Sequence, residues 1–326
     1  MSHDPTRRRI VAALLGSMAT SGVRAQTKFP SRPVRIVVPY SVGVGPDVVA
    51  RAVADQLAKQ WGQPVIIDNK PGASGIVAFS EVRRTAPDGH TLFVADTATM
   101  AINPLINAEL PYDPARDLVP LSLLFRATFL VFVGGDSRFT SIAGLLQEAR
   151  RERNRVSYGS LGNGHALHVA VESMARAANV HLLHVPFKEG GALLTAVASG
   201  DVDFTTIGIN VTSGLVTLGK LRPLAVAANV RLKQLPDLPT LFEAGGPAVE
   251  MRPWAALVAV AGTPPSTLTM LRAGIAKALD SAEVRQRVEA AGFELTPSTP
   301  QELSARVEAD IALYAPLVRK GRVSRN

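Results

Sequence analysis

Short runs of β-branched and other apolar residues alternate along the chain with segments whose apolar positions recur every three to four residues. The runs at 34–40, 65–69, 91–96, 130–134, 156–160, 181–187, 202–208, 221–228 and 254–261 have the length and composition of buried strands. The segments at 46–61, 75–86, 142–152, 166–178 and 192–200 carry the helical period, as do 266–280, 281–292 and 301–321. This alternation predicts βαβ units, and so an α/β fold on parallel sheets. Gly62, Gly200 and Gly292 each follow a helical segment, where a residue tolerant of positive φ is wanted. Pro87, Asp88 and Gly89 mark a turn. The apolar run at 121–136 is too long for one ordinary strand and predicts a crossing between two lobes. The stretch 251–265 predicts the return crossing, which makes the first domain discontinuous. A cleft between two such lobes is where a ligand is expected.

Composition narrows the function. With 326 residues, 47% of them hydrophobic, the chain can bury two cores. It has no cysteine, which excludes disulfides, a thiol nucleophile and thiolate metal sites. Part of the net charge of +8 sits at the N-terminus. There Arg7, Arg8 and Arg9 precede a short apolar core from Ile10 to Ala19, and Val23 and Ala25 have the small side chains of a cleavage site. Residues 1–25 therefore read as a signal peptide, and "TRRRIV" resembles a twin-arginine export signal. No later apolar run is long enough to span a bilayer, so a soluble mature protein is expected. The remaining positive charge suits an anionic ligand. Aromatics make up only 5% and form no basic stripe, which argues against nucleic acid.

Two glycine turns stand between a strand and a helix. In "YSVGVGPD" (40–47), Gly43 and Gly45 precede a helix with Pro46 in its first turn. In "GSLGNGHALH" (159–168), Gly159, Gly162 and Gly164 flank Asn163, a residue suited to left-handed backbone. Backbone N–H groups in such turns, with the positive end of the following helix, can hold an anion without a charged side chain. They can equally be tight connections and nothing more. The first turn lacks the third glycine of a dinucleotide fingerprint, and the chain has no P-loop lysine pattern. "YGSLG" places Ser160 one residue too early for a nucleophile elbow, and a Ser160–His168 pairing is the weak remnant of that idea. His165 and His168 fall near one face of a helix, whereas His181 and His184 fall on opposite faces of a strand. The four do not converge on a metal. His165 is expected at the cleft, with His168 orienting the helix. Asp96 ends a strand, where it either accepts from a ligand amine or hydroxyl or caps the segment that follows. Tyr112, Asp113 and Asp117 are expected to shape a turn.

Many segments in order resemble one family. Among them are "FPSRPVRIVVPY", "GQPVIIDNKPGASG", "APDGHTLFVA", "LPYDPARDLVPLSLL", "YGSLGNGHALH", "HVPFKEGGALLTAVASGDVDF" and "AGTPPSTLTMLRAGIAKAL". Across residues 29–321 the chain is similar to the extracytoplasmic solute-binding proteins of tripartite tricarboxylate transporters, the Bug family. The resemblance implies a two-lobed, hinge-closing type II periplasmic binding protein with two Rossmann-like domains. These would be 26–125 plus 252–326, and 126–251. It implies a periplasmic monomer, without cofactor, metal or enzymatic activity, that hands a small carboxylate to membrane transporter subunits. Sensing through a membrane receptor is the alternative. It also places ligand contacts at Tyr40, Ser41, Val42 and Gly43, at Asp96 and Thr97, at Ser160, at Gly162, Asn163, Gly164, His165 and Ala166, and at Ile207 and Gly208. The chain departs from the family pattern. Val44 and Pro46 replace a glycine and a threonine, and His165 and Ala166 replace Thr-Ser. Ile207 and Gly208 fill a site that is commonly polar, and Asp96 one that is usually uncharged. These departures predict a less polar pocket that favours a monocarboxylate or aromatic acid over citrate.

Overall fold

The apolar runs sort into two separate sheets. The computed structural model describes residues 29–43 and 45–323; the expected export segment at 1–25 and Val44 lie outside the described residues. The chain first lays down β1 (Val34–Val38), β2 (Val65–Asn69), β3 (Thr91–Asp96) and β4 (Leu118–Ala127). It then forms β5 (Phe129–Gly134), β6 (Ser157–Ser160), β7 (Leu183–Pro186), β8 (Phe204–Gly208) and β9 (Leu221–Val226). It returns with β10 (Trp254–Val260) and β11 (Phe293–Leu295). One sheet has the order β11-β4-β10-β3-β1-β2, the other β7-β6-β8-β5-β9. Each has a parallel core, β1 with β2 and β3, and β6 with β7 and β8. The strands next to the crossings, β4, β5 and β10, pair antiparallel.

The long apolar run breaks at Thr128 into β4 and β5, which belong to different sheets. The two crossings run side by side: the N–H of Ala127 donates to Pro253 O at 2.8 Å, and that of Phe129 to Met251 O at 3.2 Å. The β1 run stops at Val38 because Pro39 has no N–H to offer a neighbour. β11, three residues long, was not anticipated.

The helices longer than five residues are α1 (Gly45–Trp61), α2 (Ile76–Val82), α3 (Ile142–Arg151), α4 (Ala166–Ala177), α5 (Gly190–Ser199), α6 (Pro265–Leu279), α7 (Ala282–Ala290) and α8 (Pro300–Arg319). Val49, Val53 and Leu57 line one stripe of α1 and pack with Leu271, Ile275 and Val284 on one face of the first sheet. Phe79, Val82 and Leu303 cover its other face. Leu145, Leu146, Val171, Met174 and Leu193 close the core of the second lobe. Each such side chain stabilises by roughly 1.5–3 kcal/mol on burial. Among the described residues no helix is long and apolar enough to cross a membrane.

α8 begins with a capping box, in which the Glu302 N–H donates to Thr299 Oγ1 at 3.2 Å and the Thr299 N–H to Glu302 Oε2 at 2.7 Å. Thr299→Ala is expected to cost about 1 kcal/mol, read as a lower urea midpoint at unchanged m-value. The last turn of α8 and the residues after it leave their own lobe. Leu317 and Val323 pack with Ile102, Ile106 and Val169, and Arg322 reaches Glu172 Oε2 at 3.2 Å and Val180 O at 3.1 Å. This tail is a third tie between the lobes.

Candidate ligand-binding site

The first glycine turn is anchored from behind. Gly43 has φ 82°, a conformation that suits glycine, and its N–H donates to Asp47 Oδ2 at 2.8 Å. Asp47 is buried in the first turn of α1. Its carboxylate also accepts from Arg51 Nε at 2.9 Å and Asn69 Nδ2 at 2.8 Å, while Asn69 donates to Tyr40 O at 2.9 Å. Burial pulls the Asp47 carboxyl upward, but the bonds from Arg51, Asn69 and Gly43 outweigh it and hold it below the usual range. Gly45 is required by contact, since a Cβ there would lie 2.5 Å from the Phe293 ring.

The second turn uses the same device. Gly162 and Gly164 have φ of 110° and 71°. The Gly162 N–H donates to Ser160 Oγ at 3.2 Å, and the Gly164 N–H to His168 Nδ1 at 3.0 Å. In both turns a glycine N–H is taken by the side chain four residues on, Asp47 for Gly43 and His168 for Gly164. The N–H groups of Gly43, Gly162 and Gly164, expected to face a ligand, are held in this structure by Asp47, Ser160 and His168. Ser160 is also behind the turn. It is fully buried and meets His184 Nε2 at 2.7 Å, so His184 is its partner instead of His168. The His184 ring stacks on that of His168 with centroids 4.0 Å apart. His181 is exposed, and no group of three metal-ligating side chains converges among the described residues.

His165 caps α4, its Nδ1 accepting the Leu167 N–H at 3.2 Å. Accepting there puts the proton of the neutral ring on Nε2. Burial lowers the His165 pKa to about 4, so the ring is neutral at pH 7. At the first position of the helix, Ala166 has an N–H without an intrahelical acceptor.

Between the lobes lies a cavity of about 150 Å³. Tyr40, Asp96, Thr97, His165 and Ala166 of the expected contacts line it, along with Pro39, Ala98, Pro253, Trp254 and the turn Gly72–Gly75. Ser41, Val42 and Gly43 are exposed outside it, with Val42 70% exposed. Asn163, half-buried, Gly162 and Gly164 shape the second turn without lining this cavity. Ile207 packs on the second-lobe core, and Gly208 abuts Asn210, whose Nδ2 donates across the lobes to Ala291 O at 2.7 Å.

The turn Gly72–Gly75 went unrecognised as a wall of the site. All four residues have positive φ: 132°, 45°, 49° and 86°. A Cβ on Gly75 would lie 2.4 Å from Thr99 Cγ2, and Asn103 Nδ2 holds Ser74 O at 2.9 Å. "KPGASG" after the second strand has the same grammar as the other turns, which was the available signal.

Asp96 fills the capping role left open for it. Its Oδ1 accepts from the Thr99 N–H at 2.7 Å and Thr99 Oγ1 at 2.9 Å, capping the helical turn Ala98–Ile102. Its Oδ2 accepts the Tyr40 hydroxyl at the cavity wall. Burial pushes the Asp96 carboxyl up against the lowering effect of the Tyr40 and Thr99 bonds. Burial, then the charge of Asp96, raises the Tyr40 hydroxyl well above its ordinary value. Among the described residues no lysine or arginine lines the cavity.

Comparison with known proteins gives this architecture its place. A curated relative, the "UPF0065 protein in tcbD-tcbE intergenic region" of a Pseudomonas species, is 32% identical over 323 residues, covering 98% of this chain and 96% of its own. The solved structure "R. palustris Rpa4515 with adipate" superposes with a TM-score of 0.80 at 32% identity, over 91% of this chain and 100% of that one. "MatC (Rpa3494) from Rhodopseudomonas palustris with bound malate" superposes with a TM-score of 0.76 at 30% identity, over 89% and 99%. The model of the tripartite tricarboxylate transporter family receptor, TctC, matches residues 49–322, and the chain belongs to that family of solute-binding receptors.

Proposed function

We propose that this protein is a periplasmic solute-binding protein that captures a small carboxylate between its lobes and delivers it to the membrane subunits of a tripartite transporter. The observation that carries the reading is the interlobe cavity, walled by β1 and β3 ends from one lobe and by His165 and Ala166 from the other. Its donor side is the Ala166 N–H at the positive end of α4 and the Nε2 proton of His165. Relatives of similar fold hold adipate and malate, both carboxylates. The lobes are residues 26–125 plus 252–326, and 126–251, with the hinge at Thr128 and the paired crossing at Met251–Pro253. Closure brings the second turn onto the first lobe, where Gly164 already packs so tightly that a Cβ would lie 2.2 Å from Ile106 Cδ1. Residues 1–25 direct export by a twin-arginine type signal, and the working unit is a monomer.

Thermal unfolding of the purified protein against a carboxylate panel, with and without chelator, tests this. A ligand that binds only the folded state raises the midpoint, by about 2.7 kcal/mol of added stability at a hundredfold excess over Kd. One class of carboxylate should shift the midpoint, unaffected by chelator. A panel without any shift, or a shift abolished by chelation, would sink the proposal.

A further inference from the structure

The cavity has two unlike walls. On one side are His165 and Ala166, which offer the Nε2–H of a ring whose Nδ1 is already accepting and the first N–H of α4. On the other is Asp96, 7% exposed, whose oxygens already receive the Thr99 N–H, the Thr99 hydroxyl and the Tyr40 hydroxyl. With its proton given to Asp96, the Tyr40 oxygen shows only lone pairs to a ligand. At these two groups the wall accepts and does not donate, whereas the Thr97 and Ser74 hydroxyls beside them can do either. Among the described residues no lysine or arginine lines the cavity to offset it. A ligand carboxylate pressed there would meet a buried acid in a low-dielectric space, where like charges repel far more strongly than in water. A ligand hydroxyl or ammonium there would find acceptors positioned before it arrives.

We infer that Asp96, with Tyr40 held against it, selects a carboxylate that also carries a hydrogen-bond donor, a hydroxyl or ammonium group beside the carboxylate, and rejects plain mono- and dicarboxylates. This rests on the proposed carboxylate-binding function and names the ligand class for the same site. The carboxylate lies at the Ala166 and His165 wall, and the donor at the Asp96 and Tyr40 wall. A site built to pair a buried acceptor discriminates strongly against an analogue that leaves it unpaired.

Isothermal titration with four probes of similar size tests this: lactate, alanine, propanoate and succinate. In the wild type, lactate or alanine should bind at least tenfold more tightly than propanoate and succinate. In Asp96→Asn the preference over succinate should shrink at least tenfold. In Tyr40→Phe, which frees an Asp96 oxygen, it should persist or grow. If Asp96→Asn does not fold, the wild-type ranking and Tyr40→Phe decide the matter. Succinate or propanoate binding the wild type as tightly as lactate and alanine overturns the inference and leaves the carboxylate function standing. Failure of all four probes and of every carboxylate in the wider panel overturns both.

Discussion

Acidification from pH 7 to pH 5 is expected to remove about 4 kcal/mol of stability through two histidines of the second turn. His168 is buried in the first turn of α4, its Nδ1 holding the Gly164 N–H and its ring stacked on His184. Burial first, and the neighbouring His184 second, lowers its pKa to about 3. Burial alone lowers His165 to about 4. In the unfolded chain both return to the ordinary value of 6.5. Between the folded and unfolded values the unfolded chain therefore binds more protons, and stability falls as the pH falls. The contribution is complete above 6.5 and declines by about 1.4 kcal/mol per pH unit for each ring below it. Asp47, Glu81 and Asp88, held low by their partners, add to the loss only at more acid pH. Asp96, raised by burial, works in the opposite direction. Urea midpoints at pH 7 and pH 5 check the effect, and His168→Gln should flatten the pH dependence by about half. A midpoint unchanged across this range would show that neither ring is held neutral by the fold.

The same histidines show what the sequence could and could not reveal. The β-branched runs at 34–38 and 130–133 are almost wholly buried, so their burial dictates their strand character and local pattern suffices to find them. Phe293–Leu295 is too short to show any period and becomes a strand only by pairing with β4. The break at Thr128 is invisible in hydropathy because both flanks are apolar; only pairing with two different sheets separates them. In the site, the glycine turns were legible as strand-to-helix connections, and Asp96 as an acid at a strand end. Which acceptor takes each glycine N–H was not. That depends on a side chain reaching back from the first helical turn, as Asp47 and His168 do. Trp254 was hidden for another reason: on a fully apolar strand an aromatic reads as core, and its position at the cavity follows from sheet order.

Trp254→Leu is expected to cost about 3–5 kcal/mol and to weaken ligand binding together with stability. Trp254 is 2% exposed, opens β10 at the crossing and lines the cavity. Its backbone N–H holds Thr97 Oγ1 at 3.0 Å, and its indole Nε1 donates to Asp310 Oδ2 at 2.6 Å. Asp310, 1% exposed on α8, is otherwise held by Arg306 at 2.5 Å. Losing the indole leaves a void and also strips a donor from a buried carboxylate, and the second effect adds to the first. Asp310→Leu in the Trp254→Leu background removes that stranded acceptor. The double variant should lose less than the two single losses added together, by about 1–3 kcal/mol. The wild-type ligand shift should remain reduced in both, because the cavity wall is changed in either case. Trp61 serves as the control, since it is half-buried at the end of α1, packs on the first-lobe core and edge-on against Phe29 with ring centroids 6.0 Å apart, and does not line the cavity. Trp61→Leu should alter stability without altering ligand affinity. Strict additivity in the double variant, or a single-variant cost below about 1 kcal/mol, would mean that the indole–carboxylate bond does not couple α8 to the crossing strand.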